Sequence, residues 1–259
     1  MADKEWATAV TSIAANEIRV RGYRLDELMG AVSFGEAVYL VLRGELPGRE
    51  IGRLMEALLV ASIDHGVTPP STLAVRNAAT TGAPMNACLA AGALAVNRHH
   101  GGAVEDCMRL LARGVARTAA GEGAAAAAAA LIAEEKAAGR RLPGFGHRLH
   151  TDDPRSRRLL ALAHEAGAGG AHVAVAEAVA AQLAAAGKPL PLNVDGAIAA
   201  LLADLGFAPG LANGFFILAR TAGWMAHVSE ELAREKPMRM IDQRAAVYDG
   251  TAPRALPVQ

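Results

Sequence analysis

The sequence has few cysteines. Cys88 and Cys107 are the only two among 259 residues, and neither has a second thiol at the C-x-x-C spacing of redox and zinc motifs. Each lies in an apolar stretch with helix-like spacing, so we expect two buried, reduced thiols. The cysteine pattern argues against a disulfide framework.

An excess of charge of either sign is also absent. Lys plus Arg and Asp plus Glu number 26 each, so no overall field favours nucleic acid or an anionic membrane, and any anion site must be local. The longest apolar run, residues 124–133, is too short to span a bilayer, and the first residues are already charged. We therefore expect a cytoplasmic protein with neither nucleic-acid nor membrane partners.

Runs of β-branched residues are missing, whereas alanine and leucine dominate. After Pro47 the apolar residues recur at i, i+3, i+4 and i+7 from Ile51 to Ile63, which is one helical stripe ending near His65. The pattern predicts an all-α fold with a proline-rich, extended tail. Further helices are predicted at residues 24–31, 34–42, 71–80, 86–96, 104–116, 122–138, 154–165, 171–186, 193–205 and 211–233.

Four glycine-flanked segments carry titratable side chains at expected helix ends or loops. They are Asp64-His65-Gly66, His99-His100-Gly101-Gly102, Gly144-Phe145-Gly146-His147 and Asn193-Val194-Asp195-Gly196. Glycine allows a ligand to approach the backbone closely. Each segment alone could equally be a helix cap or a turn. Together, three histidines and one aspartate in similar surroundings favour acid–base chemistry.

Other kinds of site fit less well. Zinc would require paired ligands from one element, and neither an H-x-x-x-H nor a C-x-x-C pair occurs. A nucleophilic serine would be expected in G-x-S-x-G, which is missing too. Gly121-x-Gly123-x-x-Ala126 matches a dinucleotide fingerprint, but the surrounding sequence predicts helix rather than a preceding strand. We predict no metal and no nucleotide site there.

Several motifs carry a resemblance to a known family. Pro143-Gly-Phe-Gly-His-Arg148, followed by Asp153-Pro-Arg155, looks like the loop of citrate synthases and citryl-CoA lyases that holds the oxaloacetate end of the substrate. His100-Gly-Gly-Ala103, Asn193-Val-Asp195 and the segment from Ala219 to His227 are similar to further motifs of that family, in the same order. The resemblance extends from about Asn16 to Gly250.

This resemblance implies an all-helical, dimeric protein with a large and a small domain. The large domain would comprise residues 1–101 and 207–259, and the small domain residues 102–206. Because Asp64-His65-Gly66 and the segment after it resemble the lyase module of ATP-citrate lyase, we favour a citryl-CoA lyase. A citrate or 2-methylcitrate synthase is the alternative. A catalytically silent paralogue that binds CoA esters is a third hypothesis.

The resemblance also implies roles for individual residues. Asp195 would be the general acid–base, His100 would hydrogen-bond the thioester oxygen, and His147 would polarise the carbonyl of oxaloacetate. Carboxylates of the substrate would be bound by His65, Arg155, Arg220 and, across the dimer interface, Arg244.

Coenzyme A would lie against Leu142, Gly144, Phe145, Gly146 and Arg148. It would act as a thioester substrate or product, with citryl-CoA or citrate, acetyl-CoA and oxaloacetate as the other small molecules. No tightly bound cofactor is expected, and a citryl-CoA synthetase is a possible partner.

Two features depart from the family pattern. The interval from His147 to Arg155 is one residue shorter than we expect for citrate synthases. The Arg-Pro pair expected near Tyr248 is missing, and Arg239 and Arg244 are the available substitutes. These departures affect the placement of Arg155 and of the arginine that would reach the neighbouring subunit.

Overall fold

The computed structural model describes residues 6–146, 153–240, 242–247 and 249–255. Helices dominate this part of the chain, which confirms the predicted all-α architecture. In chain order the α-helices are α1 (Leu25–Leu28), α2 (Phe34–Arg43), α3 (Arg49–Ala61), α4 (Pro70–Thr80), α5 (Met85–Leu94), α6 (Ala103–Ala119), α7 (Ala124–Ala137), α8 (Pro154–Glu165), α9 (Ala171–Ala185), α10 (Val194–Asp204) and α11 (Ala212–Arg234). Short 3₁₀ helices occur at Pro209–Leu211 and Gln243–Ala245.

A small antiparallel sheet precedes the helices and was not predicted. It comprises β1 (Thr11–Ala14), β2 (Glu17–Val20) and β3 (Tyr23–Arg24), in that order. Arg21 and Gly22, which connect β2 to β3, have φ values of 51° and 89°, as a two-residue type I′ turn requires. Strands of four residues or fewer are too short for a clear alternating pattern. The helix predicted at residues 24–31 is correspondingly reduced to α1.

Local sequence chemistry explains where several helices begin. Ser33 accepts a hydrogen bond from the backbone of Glu36, whose side chain in turn accepts one from the Ser33 N–H, so α2 starts with a complete capping box. Asp153 and Asn193 cap α8 and α10 with their side chains, which accept hydrogen bonds from the backbone N–H groups of Arg155 and Gly196. Capping therefore fixes the positions of two helix starts that carry predicted site residues.

Two apolar clusters form the interior. The larger one packs α3, α6, α8, α9, α10 and the first turns of α11 together, with α10 almost completely enclosed. The smaller one joins α4, α5 and α11 around Trp224. Cys107 belongs to the larger cluster and Cys88 to the smaller one; both are buried and neither forms a disulfide. The prediction of two buried thiols is confirmed.

Within the described segments, no helix has the length and hydrophobicity needed to cross a bilayer. The division into a large and a small domain at residues 102 and 206 stays a prediction.

Candidate active site

A cavity of about 370 Å³ lies where α3, α8, α10 and α11 approach the loops before α4 and α6. It is lined by Ala61, Ser62, His65, Thr68, Pro69, Pro70, His100, Gly101, Arg155, Asn193, Val194, Asp195, Phe216 and Arg220. Five side chains that the sequence singles out therefore line one cavity, although they come from five separate segments. Two imidazoles, one carboxyl group and two guanidinium groups share this space.

Asp195 lies in the first turn of α10, two residues after the cap residue Asn193. Burial raises the pKa of its carboxyl group, and the opposing effects of Arg155, Arg220 and His65 do not cancel that increase. Among the residues that the structure describes, no hydrogen bond reaches this carboxylate, so only charge at a distance compensates its burial. A carboxyl group of raised pKa in a cavity is suited to proton transfer.

The glycine segment before residue 147 is held against α10 by backbone hydrogen bonds. The N–H of Asn193 donates to the Gly144 carbonyl at 3.0 Å, and the N–H of Gly146 donates to Pro191 at 2.8 Å. Gly144 has φ = 81°, and a Cβ there would come within 2.7 Å of the Gly196 Cα. Only glycine at positions 144 and 196 permits this approach, which brings the segment next to Asp195.

His100 is oriented by a chain of hydrogen bonds from α11 through α4. Its Nε2 lies 2.7 Å from Ser71 Oγ, and Trp224 Nε1 donates to the same hydroxyl at 3.2 Å. The Ser71 hydroxyl accepts from the indole and keeps one proton and one lone pair, so it can pair with His100 Nε2 in either neutral tautomer. Burial lowers the pKa of His100, and the charges of Arg220 and His65 lower it further. This environment favours the neutral imidazole.

Arg155 is held in a fixed direction by Asp153. Its Nε and Nη2 donate to the two oxygens of Asp153 at 3.1 and 3.0 Å, in the bidentate arrangement typical of arginine and carboxylate. Burial alone would raise the pKa of Asp153, but the hydrogen bonds from Arg155 and from the Val194 N–H outweigh it and lower that pKa. Asp153 thereby links Arg155 to the start of α10.

Arg220 lies on α11 and also lines the cavity. Its Nε donates to the Ser62 carbonyl at 2.8 Å, and its guanidinium group lies 4.6 Å from the centre of the Phe216 ring. Burial lowers the pKa of Arg220, although the nearby carboxylates of Asp64 and Asp195 counteract this effect. Guanidinium groups stay charged at any pH of interest, so the cavity keeps a buried cation.

The predicted coenzyme A residues are divided between two places. Leu142, Phe145 and Gly146 line a second concavity of about 610 Å³, together with Ile132, Glu135, Lys136, Arg140, Arg141 and Leu190. Gly144 is packed inside instead, against Cys107 and Gly196. His147 and Arg148 lie outside the described residues.

Arg244 is the one predicted substrate-binding residue within the described segments that does not line the cavity. It belongs to the exposed 3₁₀ helix near the C-terminus, and its backbone N–H bonds to Asp242. Arg239, the other substitute, is engaged by the buried carboxylate of Glu231 at 2.8 Å. A role for Arg244 in a neighbouring subunit stays a prediction.

Several residues that support the site were not assigned from the sequence. Ser71 bonds to His100 and Asp153 to Arg155, while Trp224 bonds to Ser71; none of the three lines the cavity. Phe216 does line the cavity, and its ring packs edge-on against His100. The Asp153-Pro154 pair was recognisable as the start of a helix. No sequence pattern indicates the hydroxyl of Ser71, because its contacts come from residues far along the chain.

The fold and the cavity together define a class: a helical protein whose cavity combines a carboxyl group of raised pKa with two imidazoles and two guanidinium groups. Residues 47–241 match the family described as "Citrate synthase, C-terminal domain", so the chain belongs to the citrate synthase family. The chain spans about half the length of the curated relatives it matches. It covers 55% of the length of a Mycobacterium tuberculosis protein provisionally named citrate synthase 2. That protein is 32% identical over 223 residues, which are 82% of this chain.

Solved structures extend the comparison. The citryl-CoA lyase of Hydrogenobacter thermophilus is 43% identical, with a TM-score of 0.89 and coverage of 98% of both chains. The ATP citrate lyase of Methanothrix soehngenii, solved in complex with citrate and coenzyme A, has a TM-score of 0.82 over 97% of this chain and 43% of its own. At 20% identity, this second likeness concerns the fold alone.

Proposed function

We propose that this protein is a citryl-CoA lyase, which cleaves citryl-CoA to acetyl-CoA and oxaloacetate. The observation that carries the proposal is the single cavity shared by Asp195, His100, His65, Arg155 and Arg220. The 43% identity to a citryl-CoA lyase of nearly equal length supports it.

The reaction requires both proton transfer and stabilisation of an oxyanion. When a base accepts the proton of the tertiary hydroxyl of the citryl group, a role for which the family resemblance indicates His147, the carbon–carbon bond breaks, and its electron pair passes into the enolate of acetyl-CoA. Protonation of the enolate carbon then yields acetyl-CoA. Asp195 is the proposed proton donor, because its raised pKa favours the protonated carboxyl that this step needs.

His100 would stabilise the thioester oxygen as negative charge develops on it. In the tautomer in which the Ser71 hydroxyl donates to Nε2, the ring proton is on Nδ1, and this N–H can donate to the thioester oxygen. His147 would interact with the oxygen that becomes the carbonyl of oxaloacetate. That role follows from the family resemblance, since residue 147 lies outside the described residues.

His65, Arg155 and Arg220 would bind the carboxylates of the citryl group. A guanidinium–carboxylate pair at about 4 Å gains roughly 4 kcal/mol at an effective dielectric constant near 20, before desolvation is subtracted. Two arginines in one partly enclosed cavity therefore match the two free carboxylates of the citryl group, whose third carboxyl group is the thioester. Asp153 neutralises only one of the two arginines.

Coenzyme A would occupy the second concavity as part of the substrate, not as a tightly bound cofactor. Leu142, Phe145 and Gly146 offer apolar surface and backbone there, and Arg140 and Arg141 lie on the same wall. Arg140 is already paired with Glu135 at 2.7 Å, which makes Arg141 the stronger candidate for a phosphate contact. The proposal includes a cytoplasmic homodimer, with Arg244 reaching the neighbouring site and a citryl-CoA synthetase supplying the substrate.

A citrate or 2-methylcitrate synthase is the second candidate, and the 32% identity to the mycobacterial protein named citrate synthase 2 favours it. The same residues would then act in the direction of condensation. Synthases must additionally hydrolyse the thioester, and this step releases free coenzyme A.

Two products distinguish the candidates. The protein is incubated with citryl-CoA, and separately with acetyl-CoA plus oxaloacetate, while oxaloacetate is followed with malate dehydrogenase and NADH, and free coenzyme A with a thiol reagent. A lyase forms oxaloacetate from citryl-CoA without releasing thiol. Thiol release without oxaloacetate from citryl-CoA would refute the lyase, and the Asp195→Asn variant controls for contaminating activity.

A further inference from the structure

The loop that carries His65 is held by side chains rather than by regular secondary structure. It connects α3 to α4, and its last backbone bond to α3 is from Ile63 N–H to the Val60 carbonyl, at 3.2 Å. Residues 64–68 take part in no further backbone–backbone hydrogen bond with the described part of the chain. The backbone position of His65 therefore depends on the contacts that hold this loop from outside.

One face of α11 provides that support. Arg220, Gly223 and His227 are spaced at i, i+3 and i+7, so they share a face of the helix. Arg220 donates to the Ser62 carbonyl, and a Cβ at Gly223 would come within 2.5 Å of the Ile63 carbonyl oxygen. The missing side chain at position 223 lets the loop pack directly on the helix.

Asp64 connects this helix face to the backbone around His65. Its Oδ2 accepts from the Gly66 N–H at 2.9 Å, and its Oδ1 lies 3.0 Å from His227 Nε2. Burial alone would raise the pKa of Asp64, but the backbone N–H groups of Gly66 and His65, followed by His227, lower it overall. One carboxylate thus fixes the backbone at and after His65.

His227 is the residue that holds this carboxylate in place. A carboxylate can only accept, so the imidazole donates from Nε2 to Asp64. The His227 side chain is 11% exposed, and its Nδ1 lies 3.8 Å from Glu230, beyond hydrogen-bonding distance. Glu230 is itself shared with Arg76 and Arg234. Asp64 is therefore the only hydrogen-bonded side-chain partner of His227 among the described residues.

We propose that His227 is a positioning residue, which acts through Asp64 to hold His65 in the orientation that binds a carboxylate of the substrate. The inference rests on the proposed function for the substrate itself. His227 does not line the cavity, so its effect on the reaction is indirect.

The test compares His227→Leu with His227→Gln. Leucine removes the donor, and the freed loop should raise KM for citryl-CoA about tenfold, which is the scale of one hydrogen bond to a charged group. kcat should change much less, because Asp195 and His100 are untouched. The amide nitrogen of glutamine can replace Nε2 as donor, so His227→Gln should restore most of the lost affinity.

A matched control is available at a second histidine–aspartate pair. His172 Nδ1 lies 2.8 Å from Asp204, at the junction of α9 and α10, and neither residue lines the cavity. His172→Leu should lower Tm while leaving KM near the wild-type value. An unchanged KM in His227→Leu, or an equal increase in His172→Leu, would overturn the proposal.

Hydrogen–deuterium exchange separates this inference from the proposed function. Exchange of the segment 62–68 should become faster in His227→Leu and stay unchanged in His172→Leu and in His227→Gln. If the wild-type protein fails to cleave citryl-CoA, the proposed function is refuted, and exchange of this segment still decides the positioning. Unchanged exchange in His227→Leu would refute the role of His227 whatever the reaction is.

Discussion

An aspartate lies at the start of α8 and another at the start of α10, as the N-cap Asp153 and in the first turn as Asp195, and the two differ in their electrostatic surroundings. Asp153, only 1% exposed, accepts two hydrogen bonds from the guanidinium group of Arg155 and one from the Val194 N–H. Asp195, one residue beyond Val194, lines the cavity and accepts none from the described residues. The pKa of Asp153 is lowered and that of Asp195 is raised.

This difference shows that the pKa of each carboxyl group depends on the balance between its burial and the hydrogen bonds and charges that oppose it. Burial raises the pKa of both carboxyl groups, but only Asp153 receives enough hydrogen bonds to reverse the effect. One aspartate is thereby fixed as a structural anion that orients Arg155. The other keeps a destabilised charge, which suits a group that must gain and lose a proton.

The largest expected effect follows from removing the proposed proton donor, Asp195. Asp195→Asn should lower kcat for citryl-CoA cleavage by about 10²- to 10⁴-fold, the range typical of a positioned general acid or base. Its Tm should stay equal or rise, because none of the described residues donates a hydrogen bond to this buried carboxylate. Coupled oxaloacetate detection and thermal melting measure the two quantities. Full activity in this variant would remove Asp195 from the mechanism.

Removing the charge of Asp153 should change stability and KM, whereas removing that of Asp195 should change kcat. Asp153→Asn loses the charge that holds Arg155, so we expect the free energy of unfolding to fall by about 1.5–3 kcal/mol and KM to rise. Urea denaturation and steady-state kinetics check both effects. Asp204→Asn is the control, because Asp204 accepts from three backbone N–H groups and His172 but lies outside the cavity. Equal KM values in the two variants would contradict the role of Asp153.

The smallest effect concerns the pH dependence of stability. With a folded pKa below the ordinary value of 3.8, Asp153 stabilises the fold at pH above 3.8, and this contribution is lost as pH falls through the folded pKa. With a folded pKa above 3.8, Asp195 destabilises the fold above that pKa, and the penalty disappears as pH falls toward 3.8. Stability curves of Asp195→Asn and wild type should therefore converge in acid, whereas those of Asp153→Asn and wild type converge only below the folded pKa of Asp153. Parallel curves for Asp195→Asn would show that its pKa is unshifted.

The local sequence pattern was sufficient to predict most helices but not the sheet. The stripe from Ile51 to Ile63 predicted α3 because a helix long enough to show its period also reveals it in sequence. The strands β1 to β3 were not predicted, because each has four residues or fewer. Their turns also depend on positive φ at Asn16, Arg21 and Gly22. The glycine-flanked histidines and aspartate were visible as unusual segments.

The sequence by itself determined the helical architecture, the helix caps and the set of chemically capable residues, because each depends on neighbours within a few positions. Only the tertiary structure decided which of these residues share a cavity and which groups orient them. Ser71 reaches His100 across 29 positions, and Arg220 reaches Ser62 across 158. Proton affinities were decided at the same level, because the pKa of a carboxyl group depends on burial and on donors that distant segments bring to it.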